Sequence, residues 1–216
     1  MHKLINNLNI IKDNLKSKVK IYKKIKIIAV SKTFTLDQII PLIEYGHLDF
    51  GENKVQEAID KWTDTKLNFP KINLHLIGKL QTNKVKFAVR LFDYIHSVDN
   101  EKLARKIADE LKKINRKVKI FIQVNIGAEE QKSGINKNQL KSFYSYCKGL
   151  NLDVVGLMCI PPLNKNPIFY FKEMQILSNE FKFNELSMGM SSDYIEAANY
   201  SSTFLRIGSS IFGQRS

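Results

Sequence analysis

The sequence predicts an α/β fold: a single (β/α)8 TIM barrel with an extra N-terminal helix ahead of the first strand. Three observations carry this reading. Short apolar, β-branched runs alternate with amphipathic helical stretches eight times along 216 residues. Strands alternating with helices form parallel βαβ units, and eight such units in this length close into a barrel. The eight units use the chain from 1 to 216, which leaves one domain and no second one. A doubly wound open sheet is the alternative, but no Gly-x-Gly-x-x-Gly fingerprint follows the first strand.

The elements follow in order. Leu4, Ile5, Leu8, Ile11, Leu15 and Val19 share one helical face, so the opening helix is expected to cover one end of the fold. The first strand spans 25–32, around Ile27-Ile28-Ala29-Val30. Thr35 and Gln38 have capping-box spacing, so a helix starts there and runs to about 45, with Gly46 as its C-cap. A short strand at 48–52 leads through Asn53 into a helix over 55–62. The third and fourth strands fall at 74–78 and 94–98, with a helix over 82–91 between them. Asp99 or Asn100 caps an amphipathic helix carrying Leu103, Ile107, Leu111 and Ile114. Strand five covers 118–125, followed by a Gly-containing loop over 127–134 and a helix over 139–149. Strand six, 154–160, is stopped by Pro161-Pro162. A helix over 167–181, a strand at 185–190, a short helix at 193–199 and a strand at 203–207 follow, with a final turn at 208–212.

Composition narrows the function classes. The apolar runs are too short to span a bilayer, and residues 1–20 lack the continuous apolar core of a signal peptide, so a cytoplasmic protein is expected. Cys147 and Cys159 show no metal or redox spacing and read as core thiols. The formal charge is +13, but the lysines are spread along the chain. The densest basic runs, Lys23-Lys24-Ile25-Lys26 and Arg116-Lys117-Val118-Lys119, precede strands and so fall on the amino-terminal face. No nucleic-acid motif accompanies them, which disfavours nucleic-acid binding; a steep salt dependence would be its mark.

In a barrel the carboxyl ends of the strands form the site. Those ends hold Lys32, Asn53, His75, Ser97, Asn125, Met158, Ser191, Arg206, Gly208 and Ser209 among others. They hold no Asp, Glu and His cluster for a metal, and neither a Ser-His-Asp nor a Cys-His arrangement. Lys32 follows a buried strand directly, where an amine among apolar walls can attack a carbonyl. Ser187-Met188-Gly189-Met190-Ser191 and Arg206-Ile207-Gly208-Ser209-Ser210 follow strands seven and eight, where such barrels often hold phosphate. A phosphorylated aldehyde fits that pairing, and pyridoxal phosphate is a cofactor of that shape. Each residue also has a plainer reading. Asn53 could cap the next helix, His75 fill the core, Arg206 make a structural salt bridge, and Met158, Met188 and Met190 pack. Gly189 could serve packing, and Gly208 and Gly213 simple turns.

With these residues in hand, the chain resembles the pyridoxal-phosphate homeostasis protein family, whose fold is similar to the N-terminal barrel of alanine racemase. Matching segments include Ala29-Val30-Ser31-Lys32, Phe50-Gly51-Glu52-Asn53, His75-Leu76-Ile77-Gly78-Lys79-Leu80-Gln81 and Ile95-His96-Ser97-Val98-Asp99. Lys132-Ser133-Gly134, Gly156-Leu157-Met158, 186–191 and 206–213 continue them in the family's order. The resemblance implies Lys32 as the Schiff-base lysine, Arg206 facing the pyridine nitrogen, and a phosphate site made by Ser191, Gly208 and Ser209. One departure is Asn199-Tyr200-Ser201, where the family usually has a small residue and Gly; the 161–167 loop also looks short. The expectation is a protein that holds pyridoxal 5'-phosphate reversibly on Lys32 and buffers it or delivers it to PLP-dependent apoenzymes. Arg206 works against protonating the ring nitrogen, and the sequence stops at Ser216, before the extra β-domain that carries the second base of alanine racemases. A weak PLP-dependent amino-acid racemase is the alternative. No apolar helix is left over to pair, so a monomer is expected.

Overall fold

The computed structural model describes residues 2–214. Helix α1 (Lys3–Lys18) precedes strand β1 (Lys26–Val30), helix α2 (Leu36–Glu44), strand β2 (Asp49–Glu52) and helix α3 (Val55–Asn68). Strand β3 (Asn73–Leu76), helix α4 (Val85–Leu91), strand β4 (Tyr94–Val98), helix α5 (Glu101–Lys113) and strand β5 (Lys119–Gln123) follow. Helix α6 (Leu140–Gly149), strand β6 (Asp153–Met158), helix α7 (Pro167–Glu180) and strand β7 (Glu185–Ser187) come next. Helix α8 (Tyr194–Asn199), strand β8 (Phe204–Ile207) and the one-turn helix α9 (Ser209–Phe212) end the described chain.

The eight strands close in sequence order, β1 to β8, and all pairs are parallel. The open-sheet alternative is thereby excluded. Closure runs through β1 and β8, with Lys26 opposite Phe204 and Ala29 opposite Ile207. Side chains alternate across each strand. Ile28, Tyr94, Phe121, Met158 and Phe204 fill the barrel interior, while residues such as Ala29, Leu205 and Ile207 pack outwards against the helices. The expected capping box forms at Thr35 and Gln38, and Asn100 Oδ1 accepts the Leu103 N–H at 2.9 Å. Gly46 sits one residue beyond the C-cap Tyr45, with φ +88°, a left-handed turn that glycine adopts freely. Both cysteines are buried free thiols.

Two expectations need correction. Helix α1 does not cover an end of the barrel. It packs on α2, α8 and α9, and its Asn7, Asn9 and Asn14 side chains bond to Ile211 O, Tyr45 Oη and Tyr194 Oη. Helix α9 is a single turn, so the β8–β1 flank is covered by the opening helix instead. The third helix runs to Asn68 rather than 62, because Trp62 and Thr65 continue its buried stripe.

The basic runs are partly absorbed by the fold. Lys26 begins β1 and Lys119 begins β5, on opposite sides of the amino-terminal mouth, and each Nζ lies 3.3 Å from Tyr94 Oη. Lys26 Nζ also stands 5.0 Å from the Phe204 ring, a cation–π contact that plugs the mouth.

Three histidines make stability depend on pH. Burial pushes His47 down to about 4 from 6.5 and lowers His75 and His96 as well. Between pH 6.5 and 4 the unfolded chain binds a proton at His47 that the folded chain does not. Stability therefore rises with pH across that window and is lost as pH falls through it. Urea unfolding at pH 7.0 and 5.0 is expected to show a loss of about 2 kcal/mol or more at the lower pH. Equal stability at the two values would contradict this reading.

Candidate functional site

The carboxyl ends of β1, β7 and β8 gather the residues that the sequence singled out. Ile28 pairs with Arg206 and Ala29 with Ile207 across the closing seam. A Cβ added to Gly208 would lie only 3.5 Å from Val30 Cβ. Lys32, two residues beyond Val30 and half-buried, thus follows a strand end that adjoins Gly208. The residues on either side of it fix where its backbone goes.

Those neighbours are clamped from α3. Ser31 is fully buried, and its Oγ–H donates to Glu52 Oε1 at 2.7 Å. Lys61 Nζ donates to Ser31 O at 2.9 Å and pairs with Glu52 Oε1 at 3.0 Å, and Trp62 Nε1–H reaches the same oxygen at 2.9 Å. On the other side of Lys32, the Thr33 N–H donates to Glu57 Oε1 at 2.5 Å. Thr33 has φ +70°, an unfavourable left-handed conformation for a β-branched residue. The clamp from Glu57 and Lys61 holds that turn, so the direction of Lys32 is set by its flanks. Glu52, Glu57, Lys61 and Trp62 went unrecognised as site-shaping residues in the sequence. The available signal was the Glu57–Lys61 spacing of i and i+4 on a helix that follows an acidic strand end.

The loops after β7 and β8 meet as expected. Ser191 Oγ accepts the N–H groups of Gly208 and Ser210 at 3.3 and 3.2 Å, and Ser210 Oγ–H donates to Ser191 O at 3.4 Å. Met190 N–H donates to Asp193 Oδ1 at 2.6 Å, which folds the loop that presents Ser191. Gly189 has φ +89°, and a Cβ there would stand 2.5 Å from Ala197 Cβ, so the turn needs glycine for room as well as for angle. Ser209 is exposed at the rim, and Ser210, part of the 206–210 segment but not of the phosphate set that the resemblance implies, joins the cluster.

Arg206 lies on the inner face of β8 and is 5% exposed. Its Nη1 donates to Ser187 Oγ and its Nη2 to Cys159 O, both at 2.8 Å. It makes no ion pair among the described residues, so the structural salt-bridge reading does not hold. Burial pushes its pKa down, yet a guanidinium starts so high that it stays charged near neutral pH. Asn53 is half-buried at the end of β2. It is not the cap of α3, because the N-cap is Lys54 and no side chain caps there. Its backbone is pressed against Gly78, where a Cβ would stand 2.3 Å from Asn53 O. Met158 and Met188 are core residues, whereas Met190 is 37% exposed. Among the described residues no group of His, Cys, Asp or Glu is arranged to hold a metal ion.

The strand end before Lys32, the buried Arg206 guanidinium and the hydrogen-bonded Ser191–Gly208–Ser210 cluster therefore lie on neighbouring strand ends of the barrel. The family model described as alanine racemase, N-terminal domain matches residues 3–216. A relative from Aquifex aeolicus named pyridoxal phosphate homeostasis protein is 38% identical over 200 residues, covering 88% of this chain and 87% of the relative. The chain belongs to the pyridoxal phosphate homeostasis protein family. Two solved structures of PipY from Synechococcus elongatus resemble this family member over nearly their whole length. The one without PLP is 32% identical with a TM-score of 0.88, covering 98% of this chain and 100% of PipY. The one with PLP bound is 32% identical with a TM-score of 0.86, covering 97% and 100%. No helix among the described residues of this homeostasis-family chain is long and apolar enough to cross a membrane.

Proposed function

We propose that this chain binds pyridoxal 5'-phosphate reversibly at Lys32 and serves PLP homeostasis, buffering the cofactor or delivering it to PLP-dependent apoenzymes. The observation that carries the reading is the meeting of the Ser191 hydroxyl with the Gly208 and Ser210 N–H groups on the strand end adjoining that of Lys32. The donor set fits the group. Serine hydroxyls and backbone N–H groups suit a phosphate, the Lys32 amine suits an aldehyde, and Arg206 suits the nitrogen of a pyridine ring. When bound, PLP supplies an aldehyde and an electron-accepting ring. The chain's part is to hold it. Ser191, Gly208, Ser209 and Ser210 bind the phosphate, Asn53 borders the mouth, and the clamp around Ser31 and Thr33 aims the amine.

The role we propose is non-catalytic. An arginine donates hydrogen bonds and accepts none, so Arg206 favours an unprotonated ring nitrogen and a weaker electron sink. The family's name and the PLP-bound PipY support binding over turnover. The test is to load the protein with PLP, remove free cofactor, and measure two things. Transfer to the apo form of a PLP enzyme is expected to restore that enzyme's activity, and L-alanine is expected to keep its configuration. Racemisation near the ~10 s⁻¹ typical of enzymes would contradict the non-catalytic reading and favour the racemase alternative. Absence of any PLP uptake would contradict both.

A further inference from the structure

A buried hydrogen-bonded chain crosses the barrel interior from Arg206 to the opposite mouth. Arg206 Nη1 donates to Ser187 Oγ at 2.8 Å, and Ser187 Oγ meets His96 Nδ1 at 2.8 Å. His96 Nε2 meets His75 Nδ1 at 3.1 Å, and His75 Nε2 meets Asp49 Oδ1 at 3.0 Å. Ser187, His96 and His75 are fully buried. His96 stacks on Phe121 at 4.3 Å and His75 on Tyr94 at 4.4 Å, which fixes both rings.

The chemistry of the two ends gives this chain a direction. A guanidinium only donates, so Ser187 Oγ accepts from Arg206 and sends its one proton to His96 Nδ1. A neutral imidazole that accepts at Nδ1 carries its proton at Nε2. His96 Nε2–H therefore donates to His75 Nδ1, and His75 Nε2–H donates to Asp49. Burial opposes charge on either ring, in agreement with neutral histidines. Asp49 accepts at the far end; burial works against its charge, but the bond from His75 holds its pKa below the ordinary value. The reversed order would leave the Ser187 proton buried without an acceptor, which is costly.

We propose that Asp49, at the amino-terminal mouth, is a positioning residue for Arg206, acting through His75, His96 and Ser187. Without an acceptor at 49, the chain loses one of the two end groups that fix its direction, and the His75 Nε2–H is left buried without its acceptor, so the order set at the Arg206 end is no longer favoured. The histidines can then reverse, and the Ser187 proton is driven towards the side where Arg206 Nη1 donates. The guanidinium loses its anchor at Ser187 and keeps the one at Cys159 O. Asp49 also lines a cleft of about 460 Å³ with Lys12, Lys16, Lys23 and Lys26, so this anchor lies next to solvent-facing charge far along the strands from Lys32. The consequence for PLP rests on the function proposed above; the order of protons does not.

The test has one arm without cofactor and one with it. In the cofactor-free protein, nitrogen NMR of the rings is expected to show His75 and His96 both protonated at Nε2 and bare at Nδ1. In Asp49→Leu, His96 is expected to change tautomer. Nδ1–H on either ring in the wild type, or rings unchanged in Asp49→Leu, would overturn the proposal. In the loaded protein, PLP release from Asp49→Leu is expected to be roughly three- to thirtyfold faster than from wild type. Asp49→Asn, which keeps an acceptor oxygen, is expected to restore most of the difference. Unchanged release in Asp49→Leu would also overturn it. If the wild type takes up no PLP, the proposed function fails, and the ring measurement still decides the order of protons. The wild-type tautomers decide it likewise should Asp49→Leu not fold.

Discussion

Lys32→Ala is expected to abolish the visible absorption that PLP acquires on linking to an amine. Alanine offers no nucleophile, while the proposed phosphate site at Ser191, Gly208 and Ser210 lies on other elements and is left in place. PLP should therefore still bind, at least about tenfold more weakly, which corresponds to about 1.4 kcal/mol. Thermal unfolding run beside the titration separates loss of the amine from loss of the fold. Ser31 and Thr33 are held from β2 through Glu52 and from α3 through Glu57 and Lys61, and none of the bonds described for them uses the Lys32 side chain, so the midpoint is expected to stay close to that of wild type. A variant with wild-type absorption would place the reactive amine elsewhere among the chain's many lysines.

Glu52→Ala is expected to cost about 3–5 kcal/mol of stability. Glu52 is fully buried, and one oxygen, Oε1, receives Ser31, Lys61 and Trp62 together. Truncation strands the Lys61 ammonium, whose side chain is 8% exposed, with Glu57 at 3.4 Å as its nearest remaining carboxylate. It also strands the Trp62 N–H. Glu52→Gln keeps an acceptor oxygen in the same place and should lose less than half as much. Because Ser31 is released, Glu52→Ala should also weaken PLP retention in the fraction that folds. Chemical denaturation measures the first effect; a change below about 1 kcal/mol would show that the clamp is not under tension from its buried charges.

The strands were legible because buried parallel strands read as continuous apolar runs, as in Ile27-Ile28-Ala29-Val30 and Ile120-Phe121-Ile122. The expected bounds match β4 (Tyr94–Val98) and the ends of β2 and β8, while β1, β3, β5, β6 and β7 stop two or three residues short of them. Strand β7 stops at Ser187 because Gly189 turns left-handed and packs on Ala197, a close approach that local pattern does not reveal. The face of α1 was readable, but not the surface it would meet, since a hydrophobic stripe does not say which flank lacks a helix. His75, inside an apolar strand, fits a core histidine, and the structure shows it buried and bonded. Its partner His96 lies 21 positions away and meets it only because β3 and β4 are neighbours. Ser201, in the segment where the sequence departs from the family's small residue and Gly, has φ +67°. That explains why glycine suits the position: serine accepts a left-handed backbone at a cost of roughly 1 kcal/mol.

The most direct measurement reduces PLP-loaded protein with borohydride, which makes the link to the amine permanent, and then maps the labelled peptide by mass spectrometry. The account predicts the label on Lys32 and on no other lysine. Label at Lys54, Lys132 or any other amine, with Lys32 unmodified, would contradict it.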